Sequence, residues 1–455
     1  MSQIIKSVHT SPIKAIVVGF FFVIAVGSLL LSLPSASKNG LATGFVNSIF
    51  MATSATCVSG IVIADTFAKW SMFGQIVILF LIQIGGLGLV TFVVLFGVHA
   101  NKKFSVENIK IVKEATGFGG VVDVSTIIKL IVGVSLSIEL CGACLLLIRF
   151  IPDFGVGMGI YTAVFSAISA FCNAGFDVLP HSSESPVSLL GYNSDPLVLP
   201  IFSLLIILGG LGFVVWSDVF FNRKQRTWMV HTKVVLFTSV FLLVCGTIAI
   251  LAFEWNNEKT LKGLPFFYKL NAAFFQAATL RSAGFFSLNP ADFSKSTKLI
   301  AICLMFIGGA PGSTSGGIKV TTLAVLWRTV ACFVCGQQEI TISNRRIPKQ
   351  LVYRAISTFV TTFLLIITAA TVAYSATRGK TTNSVDIIFE SVATVCTVGL
   401  SVGACEIAYV GPIIKLLFGL FMFIGRIGTV PLMLAFFRKK TEKRVVLPDA
   451  QLIVG

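Results

Sequence analysis

The chain has 455 residues, of which 55% are hydrophobic and only 12% are charged, and its mean hydropathy is +0.92. Because a soluble protein carries about 25% charged residues, this composition excludes a soluble globular protein and indicates a membrane protein with several spans. The net charge of +16 does not indicate nucleic-acid binding, since the basic residues are spread over short segments between apolar runs.

Apolar runs near the ~20 residues that cross a bilayer recur along the chain. The first run follows Lys6 and Lys14, but it is longer than the apolar core of a cleaved signal peptide. It also completes a repeat described below, so we interpret it as a retained helix. The clearest runs are 15–33, 72–98, 127–150, 197–217, 233–253, 356–375 and 411–437.

Basic residues cluster in four segments, 102–113, 223–233, 328–354 and 438–444, whereas the connections between these segments are more acidic. Cytoplasmic loops of membrane proteins carry an excess of Lys and Arg. The distribution therefore predicts a multi-pass protein of the cell (inner or plasma) membrane with both termini in the cytoplasm. It leaves open whether the basic tail binds an acidic protein or the anionic lipid of the bilayer.

Four short stretches between the basic segments share one pattern: ATCVSGI (55–61), AFCNAGF (170–176), TLRSAGF (279–285) and TVCTVGL (394–400). Each ends in a glycine followed by a large apolar residue. Self-similarity at a nearly fixed period predicts four copies of one structural unit. The glycines are Gly60, Gly175, Gly284 and Gly399, and the residue ten positions earlier is a phenylalanine in every copy: Phe50, Phe165, Phe274 and Phe389.

Each unit contains a span, a segment of about fourteen residues, the glycine loop and a second span. The short segments, 43–56, 159–172, 267–280 and 383–396, cannot cross a bilayer and are predicted to be re-entrant helices. Non-helical backbone at membrane depth is tolerated where it is packed in protein or lines an aqueous cavity. The predicted fold is therefore an all-α polytopic membrane protein, with eight transmembrane helices and four re-entrant pore helices around a pseudo-fourfold pore. The predicted repeats are 1–100, 101–222, 223–330 and 331–437, followed by a cytoplasmic tail, 438–455.

The glycine loops are the predicted selectivity filter. Backbone carbonyls that point inward can replace the hydration shell of a cation, and glycine adopts the required dihedral angles at little cost. The C-terminal end of each short helix also favours a cation. The predicted ion-binding residues, acting through their backbone, are Thr56, Cys57, Val58, Ser59, Gly60, Phe171, Cys172, Asn173, Ala174, Gly175, Leu280, Arg281, Ser282, Ala283, Gly284, Val395, Cys396, Thr397, Val398 and Gly399.

The stretch GGAPGSTSGGIK (308–319) interrupts an apolar run with residues that do not hold a helix. It is not a phosphate-binding loop, because Ile318 occupies the lysine position and no strand is predicted before it. The other second spans carry glycines at a similar depth, in GGLG (85–88), GGLG (209–212) and GRIG (425–428). Small residues let spans pack closely, which explains the first two, but the third copy expands into a polar loop.

From about residue 13 to residue 437, the sequence resembles the Ktr/Trk/HKT superfamily of potassium transporters, and most closely the Ktr-type (KtrB-like) membrane subunit. The resemblance rests on the four glycine loops, on GGAPGSTSGGIK and on IGRIG (424–428). It implies a pseudo-fourfold pore in each subunit of a homodimer, and potassium uptake that sodium often stimulates. It also implies a cytoplasmic RCK-type (KtrA-like) partner ring that binds ATP or ADP. In plant relatives a serine in place of the first filter glycine accompanies sodium transport, so four glycines resemble the potassium-selective pattern.

The resemblance also implies that the stretch 308–317 is an intramembrane loop that closes the pore beneath the filter. Arg426 lies at a similar depth in the fourth repeat, where it would repel potassium and bind loop carbonyls. Lys319 is predicted to snorkel towards the cytoplasm. The predicted gate residues are Gly308, Gly309, Ala310, Pro311, Gly312, Ser313, Thr314, Ser315, Gly316, Gly317, Lys319 and Arg426.

Two further ionisable residues lie next to the predicted filter. Arg281 is expected to point away from the axis, because a cation inside a cation filter opposes the ion. Glu390, on the fourth short segment, is a candidate partner for it.

Other classes of protein fit the sequence less well. An alternating-access carrier, such as a sodium or potassium symporter, is the main alternative, but such carriers usually have two repeats and bind substrate at the midplane. An enzyme acting on lipids would need converging acidic or histidine residues, and no such set or catalytic residue emerges. The ten cysteines lie mostly in apolar runs and do not indicate disulfides or a metal site. No covalent cofactor is predicted.

Overall fold

The computed structural model describes residues 12–88, 124–180, 188–221, 228–337, 339–377, 383–404, 410–429 and 432–433. The basic segments 102–113 and 438–444, the tail 438–455 and both chain ends lie outside the described residues. The described chain is predominantly helical, with one antiparallel hairpin of β1 (Thr341–Ile342) and β2 (Arg345–Arg346).

The helices follow a recurring order of a long helix, a short helix and a second helix that ends or breaks at glycine. The short helices α2, α6, α10 and α14 begin and end within three residues of the predicted re-entrant segments. Short 3₁₀ turns lie at Pro34–Ala36, Leu190–Tyr192 and Pro290–Asp292. The helices are α1 (Pro12–Ser32), α2 (Phe45–Thr56), α3 (Thr66–Lys69), α4 (Met72–Leu87), α5 (Val124–Phe154), α6 (Val156–Phe171), α7 (Val198–Gly210), α8 (Phe213–Phe221), α9 (Val230–Glu254), α10 (Phe266–Thr279), α11 (Lys295–Phe306), α12 (Val320–Val334), α13 (Lys349–Ala376), α14 (Ser384–Val395) and α15 (Pro412–Ile427).

Three described helices are long and apolar enough to cross a membrane, at Lys129–Phe154, Val230–Glu254 and Lys349–Ser375. Helices α7 and α8 would make a fourth span if they are one helix bent by 89°. Eight transmembrane helices were predicted from the four repeats. Helices α4, α7 and α15 are shorter than the apolar runs 72–98, 197–217 and 411–437, because each stops or bends at a glycine within its run.

Three of the breaks in the second helices lie at glycines in the left-handed region of backbone space. A residue with a Cβ resists this conformation, whereas glycine adopts it freely, so the helix ends or bends there. These glycines are Gly88 (φ +86°), Gly212 (+86°) and Gly428 (+96°). In the third repeat α11 ends at Phe306, directly before the polar loop.

The second helices begin at defined caps on the side where the glycine loops emerge. Ser71 accepts a hydrogen bond from the N–H of Gly74 (3.3 Å), and Ser294 accepts one from Thr297 (3.2 Å). Asp195 accepts two, from the N–H groups of residues 197 and 198 (2.8 and 2.9 Å). Helix α15 begins with a proline at its first position, which lacks the N–H that a helix start leaves unpaired.

A polar belt joins the start of each second helix to the short helix of the next repeat. Neighbouring repeats therefore contact one another in the cyclic order one, two, three, four, one. The four contacts are Tyr161 Oη to Gln75 Oε1 (2.8 Å), Asn271 Nδ2 to the carbonyl of Asp195 (3.3 Å), Lys298 Nζ to Asp386 Oδ1 (2.7 Å) and Lys415 Nζ to Asn47 Oδ1 (2.9 Å).

We expect the ion pair of the belt to matter for stability. The side chains of Lys298 and Asp386 are only 10% and 18% exposed, and removing one partner of a buried pair costs on the order of 3 kcal/mol. Lys298→Met should therefore lower the melting temperature of the purified protein in detergent. The double variant Lys298→Met/Asp386→Leu should recover most of the loss, because no unpaired charge remains. Equal destabilisation by the single and double variants would show that the pair is not the source.

Candidate functional site

The four glycine loops converge on one point in the structure. The φ angles of their glycines lie between +71° and +90°, and the backbones are so close that no side chain fits. A Cβ atom added to each glycine would meet the carbonyl oxygen of the residue that precedes the glycine of the next repeat. The encounters form a closed ring: Gly60 with Ala174 (2.6 Å), Gly175 with Ala283 (2.8 Å), Gly284 with Val398 (2.7 Å) and Gly399 with Ser59.

Two residues before each ring glycine, a residue with a side chain also occupies the left-handed region. Such a conformation costs roughly 1–3 kcal/mol and persists only where the surroundings enforce it. Alternation of left-handed and ordinary backbone turns successive carbonyls of an extended segment to the same side, whereas in a regular strand they alternate. The four residues, all buried, are Val58 (φ +56°), Asn173 (+58°), Ser282 (+75°) and Thr397 (+50°).

The third loop differs from the others by one residue. Ser54 and Ser169, six residues before their glycines, donate to the carbonyls of Ile61 (2.7 Å) and Phe176 (2.6 Å), which follow those glycines. In the third repeat Thr279, only five residues before Gly284, donates to the equivalent carbonyl of Phe285 (2.6 Å).

The buried phenylalanine of the short helix shifts in the same way. Phe50, Phe165 and Phe389 are buried, but Phe274 is 36% exposed and Phe275 is fully buried instead. The equivalence of Phe274 with the other three was therefore wrong. Because two phenylalanines are adjacent, Phe274 still lies ten residues before Gly284 in the sequence. The buried one, Phe275, lies nine residues before it, because the third loop is one residue shorter than the others.

The fourth loop is held by a carboxylate where the other loops use a hydroxyl. Glu390 Oε1 accepts from Ser401 Oγ (2.5 Å) and from the N–H of Val402 (3.0 Å), just beyond Gly399. Arg281 lies away from it, and its guanidinium contacts Ser239 of α9 (Nη2 to Oγ 3.2 Å). The suggested pair of Arg281 with Glu390 is therefore wrong, because each has a nearer partner in its own repeat.

The second helices of three repeats press against the ends of the short helices. A Cβ atom at Gly85, Gly209 or Gly425 would collide with a short helix's final carbonyl, at Thr56, Phe171 and Val395 respectively. The glycines of α4, α7 and α15 are therefore required by this contact, which buries the base of the glycine loops.

The loop 308–317 connects α11 to α12 and is closed at its base. Residues 307 and 318 form a parallel bridge, and the N–H of Gly308 donates to the carbonyl of Ile318 (2.9 Å). The loop also binds the broken helix of the second repeat, through the N–H of Ala310 to the carbonyl of Gly210 (2.9 Å). Ala310, Thr314 and Ser315 are at most 1% exposed.

The buried part of this loop contacts the bases of the glycine loops directly. Thr314 Oγ1 donates to the carbonyl of Phe171 (3.1 Å). The N–H of Gly316 donates to Ser282 Oγ (2.9 Å), and Ser282 Oγ donates to the carbonyl of Thr397 (2.9 Å). One serine hydroxyl therefore joins the loop to the glycine loops of the third and fourth repeats.

Arg426 and Lys319 hold the loop from the other side. Arg426 donates to the carbonyl of Thr314 in the loop and to that of Gly85 (2.5 Å) at the end of α4. Lys319 Nζ donates to the carbonyl of Ser315 (2.6 Å). Lys319 therefore contacts the loop that it follows.

Comparison with known proteins identifies the family. A family model described as TrkH, cation transport protein, matches residues 12–445. The chain belongs to this family. Ktr system potassium uptake protein B of Bacillus subtilis (strain 168) is 35% identical over 455 residues, covering 100% of this chain and 99% of the relative. Potassium/sodium uptake protein NtpJ of Enterococcus hirae is 35% identical over 452 residues, covering 98% and 97%.

A solved structure supports the fold. The crystal structure of the potassium transporter TrkH from Vibrio parahaemolyticus superposes with a TM-score of 0.72 at 18% identity, covering 94% of this chain and 85% of that chain. At this identity the likeness bears on the fold alone. The family is one of membrane cation transporters, which agrees with the expectation that the chain is not an enzyme. Among the described residues, no three His, Cys, Asp or Glu side chains could hold a metal ion.

One polar contact in this member of the cation transport protein family was missed at the sequence level. Gln83 of α4 donates to both oxygens of Glu139 of α5 (3.1 and 3.0 Å), beside the buried thiol of Cys172. The contact joins the first and second repeats behind the second glycine loop. A glutamine within an apolar run was the available signal, but its partner lies in another repeat.

Proposed function

We propose that this chain is the ion-translocating membrane subunit of a potassium uptake system, with one pore in each subunit. The observation that carries the proposal is the closed ring of Gly60, Gly175, Gly284 and Gly399. A cation at its centre would be surrounded by backbone carbonyls, which can replace its hydration shell. The naming of the B. subtilis relative as a potassium uptake protein supports potassium as the ion.

The loop 308–317 acts as the gate in this proposal. Arg426 and Lys319 bring two positive charges to its carbonyls, and these charges oppose a cation that leaves the ring. Ser282 and Thr314 tie the same loop to the bases of the glycine loops. Conduction therefore requires that these contacts break and that the loop moves out of the path of the ion.

Three further features belong to the proposal. The working unit is a homodimer, a cytoplasmic RCK-type ring binds ATP or ADP and controls the gate, and sodium stimulates uptake. The description of the E. hirae relative as a potassium/sodium uptake protein supports a role for sodium in the family. The description of the B. subtilis relative as part of a Ktr system supports a partner subunit.

An alternating-access cation symporter is the second candidate. Broken helices favour it, since carriers bind substrate at such breaks, and α7 and α8 meet at 89°. The ring of four loops favours the pore, because a carrier with two repeats does not need four equivalent glycines.

Growth at low potassium tests the proposed function. Expression in cells that lack their own potassium uptake should restore growth at submillimolar potassium, and sodium in the medium should enhance the rescue. Cells with the empty vector provide the baseline. If expression raised sodium accumulation but did not improve growth at low potassium, the proposal that potassium is the transported ion would be contradicted. A weaker rescue at low potassium by a Gly284→Ser variant would link the activity to the loops.

A further inference from the structure

One loop of the ring carries a charged side chain where the other three carry a thiol. The residue directly before the left-handed position of each loop is a cysteine in the first, second and fourth repeats, and an arginine in the third. All four residues are buried, and Arg281 is only 8% exposed. The third loop therefore differs from the others by a positive charge near its base. The four residues are Cys57, Cys172, Arg281 and Cys396.

The described residues around Arg281 do not neutralise its charge. The guanidinium donates to Ser239 of α9, from Nη2 to Oγ (3.2 Å) and from Nη1 to the carbonyl oxygen (3.5 Å). Its Nε atom has no hydrogen-bond partner in the described structure. A small cavity beside it is lined mainly by apolar side chains, and no aspartate or glutamate is among the described residues that line it. The apolar residues are Ile206, Ile207, Leu211, Leu243 and Ala278.

The charge of Arg281 lies at the end of a helix whose field favours a cation. The N–H of Arg281 donates to the carbonyl of Ala278 in the last turn of α10 (3.2 Å). The C-terminal end of a helix attracts positive charge, and in the other repeats no charged side chain occupies the equivalent position. An arginine keeps its charge when it is buried, and a buried charge is poorly screened. In the third repeat the guanidinium therefore offsets the attraction that the helix end exerts on an ion in the ring.

We propose that Arg281 is an affinity-determining residue of the ring, whose side-chain charge weakens the binding of a cation there and speeds its release. The inference rests on the proposed function, in which the ring binds the transported ion. A pore must bind its ion firmly enough to replace the hydration shell and weakly enough to let the ion leave. The carbonyls of the four loops supply the binding, and the arginine behind the third loop shifts the balance towards release.

Arg281→Gln tests the effect of the charge on potassium uptake. The KM of the variant should be at least about threefold below that of the wild-type protein, and its maximal rate should be lower. The direction is decisive, because a variant that only loosened the third loop would bind the ion less tightly and would raise KM. Arg281→Lys retains the charge and should keep both values near those of the wild-type protein. An unchanged or raised KM in folded Arg281→Gln, or an equal decrease in Arg281→Lys, would overturn the proposal.

Two control variants separate the charge of Arg281 from its contact and from the net charge of the protein. Ser239→Ala removes the hydroxyl that the guanidinium contacts but leaves the charge in place, so it should not lower KM. Arg328→Gln removes an equal charge from α12 and should also leave KM unchanged. If Ser239→Ala lowered KM as much as Arg281→Gln does, the contact would set the affinity and the proposed role of the charge would be wrong.

A binding measurement separates this inference from the proposed function. Equilibrium binding of radioactive rubidium to the purified protein in detergent, with choline as the balancing cation, gives a dissociation constant without transport. This constant should be at least about threefold lower for Arg281→Gln than for the wild-type protein. Equal constants would reject the role of Arg281 whether or not the protein transports potassium. Failure of the wild-type protein to take up potassium in cells, with the difference in rubidium binding intact, would reject the proposed function alone.

Discussion

Gly284→Ser is expected to lower the apparent affinity for potassium about tenfold and to raise uptake of sodium relative to potassium. A Cβ atom at this position would lie 2.7 Å from the carbonyl oxygen of Val398, and the φ of +84° is unfavourable for serine. A misfit of about 1.4 kcal/mol is sufficient for a tenfold effect, and a left-handed residue alone costs about 1–2 kcal/mol. The measurement is uptake of rubidium and sodium by cells that express each variant at equal levels.

Gly263→Ser is the matched control for the ring substitution. Gly263 lies before the same short helix, has no atom within 4 Å of an added Cβ, and does not have a left-handed φ. It should leave both affinity and selectivity unchanged. If Gly284→Ser reduced the amount of folded protein but left the ratio of sodium to potassium uptake unaltered, the glycine would be a packing residue and the carrier alternative would gain support.

The repeated architecture could be predicted because its signal is local. A glycine in the left-handed region is required wherever four backbones meet, so the same letter recurs at the same place in each unit. The short helices were predicted to within three residues for the same reason, since their ends are set by the loops. The glycines of the second helices could also be recognised in the sequence. The sequence does not show, however, that Gly85 and Gly209 each face the final carbonyl of a short helix.

The contacts between repeats could not be predicted, because they depend on the order in which the units surround the centre. Lys298 and Asp386 lie in different repeats, and nothing in either segment identifies the other as its partner. The third loop was misjudged for a different reason: the adjacent pair Phe274–Phe275 retains the spacing in the letters while the burial shifts by one residue. Arg281 was expected to face away from the axis, but its contact with Ser239 requires the position of α9.

The polar contacts beneath the ring combine groups from every repeat. Arg426 of the fourth repeat binds a carbonyl of the first and a carbonyl of the loop in the third, while Thr314 of that loop binds a carbonyl of the second. Hydrogen bonds to charged groups contribute about 1.5–3 kcal/mol each. Movement of the loop must therefore break contacts with the second, third and fourth repeats together, which favours two discrete positions over gradual displacement.

Deletion of residues 310–316 is expected to raise potassium flux at least tenfold. The deletion removes Thr314 and Ser315, whose carbonyls bind Arg426 and Lys319, together with the contact of Gly316 with Ser282. The chain can close across the gap, because an added Cβ on Gly308 would lie 3.4 Å from the Cα of Gly317. Flux is measured in proteoliposomes as uptake of rubidium driven by a potassium gradient, so that no cytoplasmic partner is present.

Arg426→Gln tests the same barrier without a change in chain length. Loss of one charged hydrogen bond to the loop costs about 1.5–3 kcal/mol, and each 1.4 kcal/mol changes a population about tenfold. The open population and the flux should therefore rise about tenfold or more, but stay below those of the deletion, because Lys319 still holds the carbonyl of Ser315. Arg328→Gln, which removes an equal charge from α12 and its contact with the hairpin carbonyl of Thr341, should leave the flux near the wild-type value. If folded deletion and Arg426→Gln proteins both conducted at the wild-type rate, the barrier to the ion would lie in the ring itself, and the loop would be a structural brace for the glycine loops above it.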